Sequence, residues 1–345
     1  MRIDPAPGVR AASGTAPLRD GFGRRVTYLR LSVTDRCDLR CTYCMPERMQ
    51  FLPKREVLSL EELYRLSLGF IARGMTKIRL TGGEPLVRRD VVDLVRALGR
   101  TLGDGLEELT LTTNATQLAG HAGAIADAGV RRINVSLDTL DRDRFVRLTG
   151  RDRLDDVLAG IEAAKRAGLS VKINTVALKG INESEISELI RWAHGQGHAL
   201  TLIEVMPLGE VEHDRIDHFL PLTAMRERLE GEFTLRDSDH ATGGPARYAD
   251  IAETGGRLGF ISPLTNNFCA GCNRIRVTAT GQLYPCLGGG ERVDLRAALR
   301  SDDPDGNLAR ALDEAMRIKP EGHDFRIDRR GAAPAQQRHM SVTGG

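Results

Sequence analysis

From residue 26 to residue 207 the chain alternates apolar, β-branched runs with helical patterns, and this rhythm limits its possible folds more than any other feature. The apolar runs fall at 26–33, 77–81, 109–113, 132–137, 171–178 and 200–206. Helical patterns at 60–73, 90–102, 121–128, 154–167 and 183–194 separate them. Gly74, Gly129 and Gly168 each follow a helical run, where a left-handed residue commonly ends a helix. Ser59 followed by Glu62 makes a capping box at the head of the first. Alternating strand and helix predicts a parallel sheet, because a parallel neighbour is reached only through a crossover. Six such units favour an incomplete (β/α) barrel over an open sheet, with chemistry at the C-terminal ends of the strands.

Near residue 237 the rhythm changes. A polar, glycine-rich stretch at 237–245 suits a connector. Short alternating runs follow at 247–251, 257–261 and 274–285, the last turning at Thr280-Gly281, and then helical patterns at 295–300 and 308–318. The expected organisation is a disordered lead-in over 1–20, the barrel over 21–236, a smaller C-terminal domain over 237–321 and a flexible tail over 322–345. A length of 345 residues suits one large domain with a smaller companion. A net charge of +2 gives no global field for nucleic acid or a membrane surface. No apolar run approaches the roughly 18–20 residues needed to span a bilayer. The first residues lack the apolar core of a secretory signal, so a cytoplasmic location is expected.

The six cysteines form two tight trios, Cys37, Cys41 and Cys44, then Cys269, Cys272 and Cys286. Disulfides are disfavoured, because the chain is large, lacks an export signal and groups its thiols closely. Such trios in a reducing compartment point to metal or cluster ligands. The first has the spacing C-x3-C-x2-C and follows the first strand, at the mouth of the expected barrel. Three thiolates hold three irons of a cubane cluster and leave the fourth without a protein ligand. An open metal position separates a catalytic site from a closed structural one. A zinc site would need a fourth ligand and usually pairs C-x2-C units.

This spacing, with the aromatic Tyr43 before the last cysteine, resembles the signature of radical S-adenosylmethionine enzymes. The resemblance implies a full or partial (β/α) barrel and a 4Fe-4S cluster whose open iron is chelated by S-adenosylmethionine. Reductive cleavage would then give methionine and a 5′-deoxyadenosyl radical. Thr81-Gly82-Gly83-Glu84-Pro85 resembles the family motif that meets the methionine end of the cofactor. Gly82 and Gly83 suit close approach of backbone to a ligand, and Glu84 is expected to orient an ammonium. Ser136 ends the fourth strand and Met206 the sixth. Tyr43, Gly83, Ser136 and Met206 are the contacts to S-adenosylmethionine that the resemblance implies.

The second trio has the spacing C-x2-C-x13-C, and the nearest histidines, His240 and His323, lie far off in sequence. A closed zinc ribbon needs a fourth ligand, whereas a second cluster with an open iron needs only three. Arg274 and Arg276 follow at once, and strand alternation places them on one face. Two guanidinium forks beside a cluster suit phosphate. Arg30, Arg79 and Lys172 interrupt apolar strand runs, where an unpaired charge is costly. An anionic ligand inside the barrel explains them, and Thr112 adds a hydroxyl.

With both trios in view the chain resembles the GTP 3′,8-cyclase family of molybdenum cofactor biosynthesis. The resemblance is carried by LRLSVTDRC at 29–37, CTYCMP at 41–46, KIRLTGGEP at 77–85, RINVSLD at 132–138 and CAGCNRIR at 269–276. It implies two 4Fe-4S clusters, with the guanine edge of GTP at the open iron of the second. It implies GTP contacts at Arg30, Arg79, Thr112, Lys172, Arg274 and Arg276. Hydrogen abstraction from ribose C3′ and attack on guanine C8 would give (8S)-3′,8-cyclo-7,8-dihydroguanosine 5′-triphosphate. The resemblance also implies a reductant such as a flavodoxin-type donor, a downstream cyclic pyranopterin monophosphate synthase and a homodimer. The terminal Gly344 and Gly345 would enter the active site and support radical formation. Thr201 stands where many relatives carry Arg, so another Arg compensates or that contact is dispensable. The competing class is another two-cluster radical enzyme acting on a peptide or small molecule, against which the interleaved arginines of the second trio argue. A non-enzymatic zinc or iron–sulphur protein would instead have closed sites.

Overall fold

The computed structural model describes Ile3 and residues 16–344. The expectations for residues 1, 2 and 4–15 of the lead-in, and for Gly345, lie outside the described residues. Six strands stand side by side in chain order, each parallel to the next: β1 (Tyr28–Ser32), β2 (Lys77–Thr81), β3 (Glu108–Thr113), β4 (Arg132–Ser136), β5 (Ser170–Ala177) and β6 (Ala199–Glu204). The helices between them are α1 (Leu60–Ala72), α2 (Val91–Gly99), α3 (Ala122–Asp127), α4 (Arg142–Thr149), α5 (Leu154–Arg166) and α6 (Ile186–Gly195).

Side-chain alternation along these strands makes two unlike faces. Leu29 and Leu31 of β1, Ile78 and Leu80 of β2, and Ile133 and Val135 of β4 belong to the hydrophobic core. That core also takes Leu63, Leu66 and Phe70 of α1, Leu94 and Leu98 of α2, and Val157 and Ile161 of α5. Burying each such side chain contributes about 1.5–3 kcal/mol. The alternate positions, Arg30, Arg79, Asn134, Ser136, Lys172 and Asn174, line a central cavity. The expected capping box is present: Ser59 Oγ accepts from Glu62 N at 3.1 Å and Glu62 Oε2 accepts from Ser59 N at 2.7 Å.

The rest of the chain adds α7 (Arg215–His218), α8 (Leu222–Glu230), β7 (Leu235–Ser238), β8 (Arg247–Ile251), β9 (Arg257–Ile261), β10 (Arg274–Val277), β11 (Gln282–Tyr284), β12 (Val293–Asp294), α9 (Leu295–Leu299), α10 (Pro304–Arg317) and α11 (Met340–Thr343). These strands extend the barrel sheet at both edges. β10 pairs parallel with β1 and continues antiparallel into β11 and β12. β9 pairs parallel with β6 and continues antiparallel into β8 and β7. The order is β12-β11-β10-β1-β2-β3-β4-β5-β6-β9-β8-β7, so β12 and β7 end the sheet and the barrel stays incomplete. The core is continuous, with Ile275, Val277, Leu283, Leu295 and Leu308 packed in the same cluster as Leu29 and Leu66.

Four details depart from the sequence expectations. Helix α4 was not expected, because its Arg-rich sequence hides the apolar pair Phe145 and Leu148 that it buries. Asp237 and Ser238 belong to β7 instead of a connector. Residues 16–20 are held in place instead of being disordered: Leu18 is fully buried, its N–H donates to Arg73 O at 3.1 Å and its carbonyl accepts from Val26 N at 3.0 Å. Residues 322–344 fold back over the barrel mouth, where Ala335 N donates to Pro207 O at 2.8 Å and Gly209 N to Gln336 O at 2.7 Å. No helix among the described residues is long and apolar enough to cross a membrane.

Candidate active site

All six cysteines line one cavity of about 260 Å³, and so do Tyr43, Gly83, Ser136, Met206, Arg30, Arg79, Thr112, Lys172, Arg274 and Arg276. In the sequence these groups are spread from Arg30 to Cys286. Parallel pairing of β1 with β10 brings the second trio beside the first strand.

Cys37, Cys41 and Cys44 sit in the loop after β1. Leu39 N donates to Cys37 Sγ at 3.4 Å, and the Asn114 side chain lies 3.7 Å from the same sulphur. A tight turn donates Cys44 N to Cys41 O at 2.9 Å. Burial pushes the Cys37 thiol up to about 12 and the Cys44 thiol up to about 11. Burial, then the neighbouring Cys44, also pushes Cys41 well up. These half-buried thiols need a positively charged partner, such as a metal centre, to stand as thiolates.

The loop is pressed onto the end of β2. A Cβ on Gly82 would lie 2.4 Å from Thr34 O, and one on Gly83 would lie 2.4 Å from Arg36 O. These glycines therefore serve first to let the cysteine loop pack on β2, before any ligand is considered. The expectation for Glu84 is corrected. Its buried carboxylate accepts from Leu86 N, Thr113 Oγ1 and Asn114 N at 2.9, 2.8 and 2.6 Å, and so ties β2 to β3 instead of facing the cavity. Burial raises it to about 7 against those donors. Asp138, for which no role was expected, lines the cavity and accepts from Tyr43 OH at 2.6 Å and Val176 N at 2.8 Å. Burial pushes its carboxyl up to about 6.

Opposite charges are scarce deeper in the barrel. Arg276, Arg30 and Arg79 form a row across β10, β1 and β2, with Arg274, Tyr28 and Lys77 in the row beside it. Like charges on adjacent strands repel, yet among the described residues none of the four arginines meets a carboxylate. Lys77 pairs with Glu108 at 2.6 Å. Arg30 Nε, Arg79 Nε, Thr112 Oγ1 and Tyr28 OH are buried without hydrogen-bond partners. Burial, with Tyr28 only partly opposing it, pulls Arg79 down to about 10. Lys172 falls to about 7 through burial and then through Arg79, Arg132, Lys77 and Arg30. Its ammonium donates to Tyr248 OH at 2.6 Å. Unpaired buried cations with free donors fit a polyphosphate. Thr201 lies fully buried on β6, and a Cβ on Gly259 would lie 2.6 Å from Thr201 Oγ1 and 3.0 Å from Tyr248. Tyr248 and the short Thr201 thus share the space over Gly259.

Cys269 opens a single 3-10 turn that Cys272 follows, and Cys286 lies just after β11. Burial opposes ionisation of Cys272, but Arg274 and Lys319 beside the sulphur bring it down to about 7. The Cys272 thiolate is thus favoured by the two cations beside it. Arg276 donates to the carbonyls of Thr343, at 3.4 Å, and Gly344. Gly344 has φ +72°, and a Cβ there would lie 1.9 Å from Thr81 Oγ1. The chain end thus reaches the end of β2, and Met340 and Ser341 line the cavity. Tyr28, Lys77, Asp138 and Tyr248 escaped the sequence reading. Only Lys77, a charge opening an apolar run, carried a signal of the kind that marked Arg79.

Residues 31–193 match the Radical SAM superfamily, and residues 198–325 match Molybdenum Cofactor Synthesis C. The chain is 76% identical over 328 residues to a GTP 3′,8-cyclase of Erythrobacter litoralis, covering 95% of this chain and 98% of that one. It is 63% identical over 332 residues to the GTP 3′,8-cyclase of Rhizobium meliloti, covering 96% and 95%. Among solved structures it resembles Streptococcus suis SuiB bound to S-adenosylmethionine, with TM-score 0.60 and 17% identity over 92% of this chain and 77% of that one. It also resembles anSMEcpe with bound AdoMet, with TM-score 0.55 and 15% identity over 81% and 82%. At such identities the structures share the fold alone. Identity to the sequence relatives over nearly the full length reaches further, and the chain belongs to the GTP 3′,8-cyclase family of radical S-adenosylmethionine proteins.

Proposed function

We propose that this chain is a GTP 3′,8-cyclase that makes (8S)-3′,8-cyclo-7,8-dihydroguanosine 5′-triphosphate, the first step of molybdenum cofactor biosynthesis. The observation that carries this is the single cavity in which two cysteine trios face a set of cations that meet few carboxylates. Cys37, Cys41 and Cys44 hold one 4Fe-4S cluster, and Cys269, Cys272 and Cys286 hold a second. When bound, the first cluster and S-adenosylmethionine supply a carbon-centred radical.

The protein's own part is binding, orientation and charge. Tyr43, Gly83, Ser136 and Met206 line the S-adenosylmethionine end of the cavity. Arg30, Arg79, Thr112, Lys172 and Arg274 receive the triphosphate, and Arg30 Nε, Arg79 Nε and Thr112 Oγ1 offer it donors that have no protein partner. Fixing the ribose between the two trios turns hydrogen transfer into a reaction of held neighbours. Arg276 holds the chain end through the Thr343 and Gly344 carbonyls as well as facing the substrate. A flavodoxin-type donor, a downstream cyclic pyranopterin monophosphate synthase, a cytoplasmic location and a homodimer complete the proposal.

Anaerobic reconstitution with iron and sulphide, followed by turnover with GTP, S-adenosylmethionine and a reductant, tests it. About eight irons per chain and GTP-dependent 5′-deoxyadenosine are expected. Bound zinc alone, or no 5′-deoxyadenosine, would overturn the proposal.

A further inference from the structure

Two buried cations stand behind the second trio. Arg24 donates to the carbonyls of Cys269 at 2.8 Å, Pro320 at 2.6 Å, and Glu321. Its charge is balanced by Asp20, whose Oδ2 lies 2.6 Å from Nε. Lys319 is 3% exposed, and its ammonium donates to Pro285 O at 2.8 Å and Arg274 O at 3.1 Å. Its third direction meets Cys272 Sγ at 3.9 Å. Among the described residues it forms no ion pair with a carboxylate.

The placement follows from the sequence. Helix α10 ends at Arg317, and Pro320 prevents its continuation, so residues 319–321 leave the helix across the back of the trio. There the two cations join all three ligand segments. Arg24 ties the Cys269 turn to residues 320–321. Lys319 ties the start of β10, beside Cys272, to Pro285, the residue before Cys286. Carbonyl contacts alone would need only a neutral amide donor. An unbalanced ammonium against a ligand sulphur fits a group that carries negative charge.

We propose that Lys319 is a positioning residue for the second iron–sulphur cluster: it clips the two arms of the trio together and holds a positive charge at the Cys272 sulphur that raises the cluster's reduction potential. This rests on reading the second trio as a cluster site. A reduced cluster carries one more negative charge than an oxidised one. A nearby cation or an N–H donor to its sulphur therefore favours reduction.

The full chain is reconstituted as wild type, Lys319→Met and Lys319→Arg. Iron per chain is counted, and the midpoint potential of each cluster is followed by electron paramagnetic resonance. The second cluster is isolated in a background lacking Cys37, Cys41 and Cys44. In Lys319→Met the second potential moves to a more negative value or that trio loses its iron, while the first cluster keeps its iron and potential. Lys319→Arg, which restores the charge, recovers part of the loss. Unchanged iron and potential in Lys319→Met overturns the proposal. So does loss of iron from both trios in both variants, which marks a general role in folding. A wild type that loads iron only at the first trio instead refutes the cluster reading of the second, independently of Lys319.

Discussion

Lys172 illustrates how the barrel acts on a single charge. Burial and the surrounding Arg79, Arg132, Lys77 and Arg30 lower it to about 7 from 10.5. The unfolded chain therefore binds more protons between those values, so this group makes the unliganded protein more stable as pH rises through that window. Below pH 7 that contribution is lost. A bound triphosphate restores the ammonium, so GTP binding near pH 8 should take up as much as about one proton. Calorimetry in two buffers of different ionisation heat measures the uptake, and Lys172→Met should abolish it. Affinity for GTP should fall as pH climbs from 7 towards 9. Gly344 makes a steric case at the same scale. A methyl group there meets Thr81 at 1.9 Å, so Gly344→Ala should displace the chain end. Formation of 5′-deoxyadenosine should slow by roughly tenfold or more, about 1.4 kcal/mol in the barrier, with iron content unchanged. An unaltered rate would remove the chain end from the mechanism.

Among elements, the contact between the cysteine loop and the end of β2 organises the first trio. Gly83 N donates to Thr34 O at 2.9 Å and Glu84 N to Arg36 O at 2.8 Å. Gly83→Ala forces a Cβ against the Arg36 carbonyl and should cost about 1–3 kcal/mol. A lower melting temperature and reduced iron at the first trio, with the second trio loaded normally, are the expected result. This contact also shows where sequence reasoning stops. Two adjacent glycines after a strand announce a close approach, but not whether ligand or backbone approaches. Glu84 misled for the same reason. A carboxylate at a strand end is visible in sequence, whereas two of the three donors that turn it inward, Thr113 Oγ1 and Asn114 N, come from the end of β3. Strands β2, β8 and β9 were legible to the residue, because short β-branched or alternating runs bounded by turns have little freedom. Helix α4 was not, since only two apolar residues mark its buried face.

Across the whole molecule, the barrel concentrates positive charge that little in its interior balances, and an anion should stabilise the fold markedly. A ligand at a hundred times its dissociation constant adds about 2.7 kcal/mol to stability. GTP should raise the melting temperature by several degrees. Tripolyphosphate, which keeps the charge without the base, should do so too, while guanosine should do little. Equal shifts from guanosine would show that the cations are not the anchor. The sequence by itself determined the strand–helix order, the two trios and most of the cationic positions, because local periodicity and short spacings are written in contiguous residues. Which strand neighbours which is not. Only the tertiary structure decided that β10 and β9 close on opposite edges of one sheet, that both trios face one cavity and that Lys319 lies behind Cys272. Those facts depend on contacts between segments well separated along the chain, formed where burying the apolar strand faces leaves the charged faces turned inward on one another.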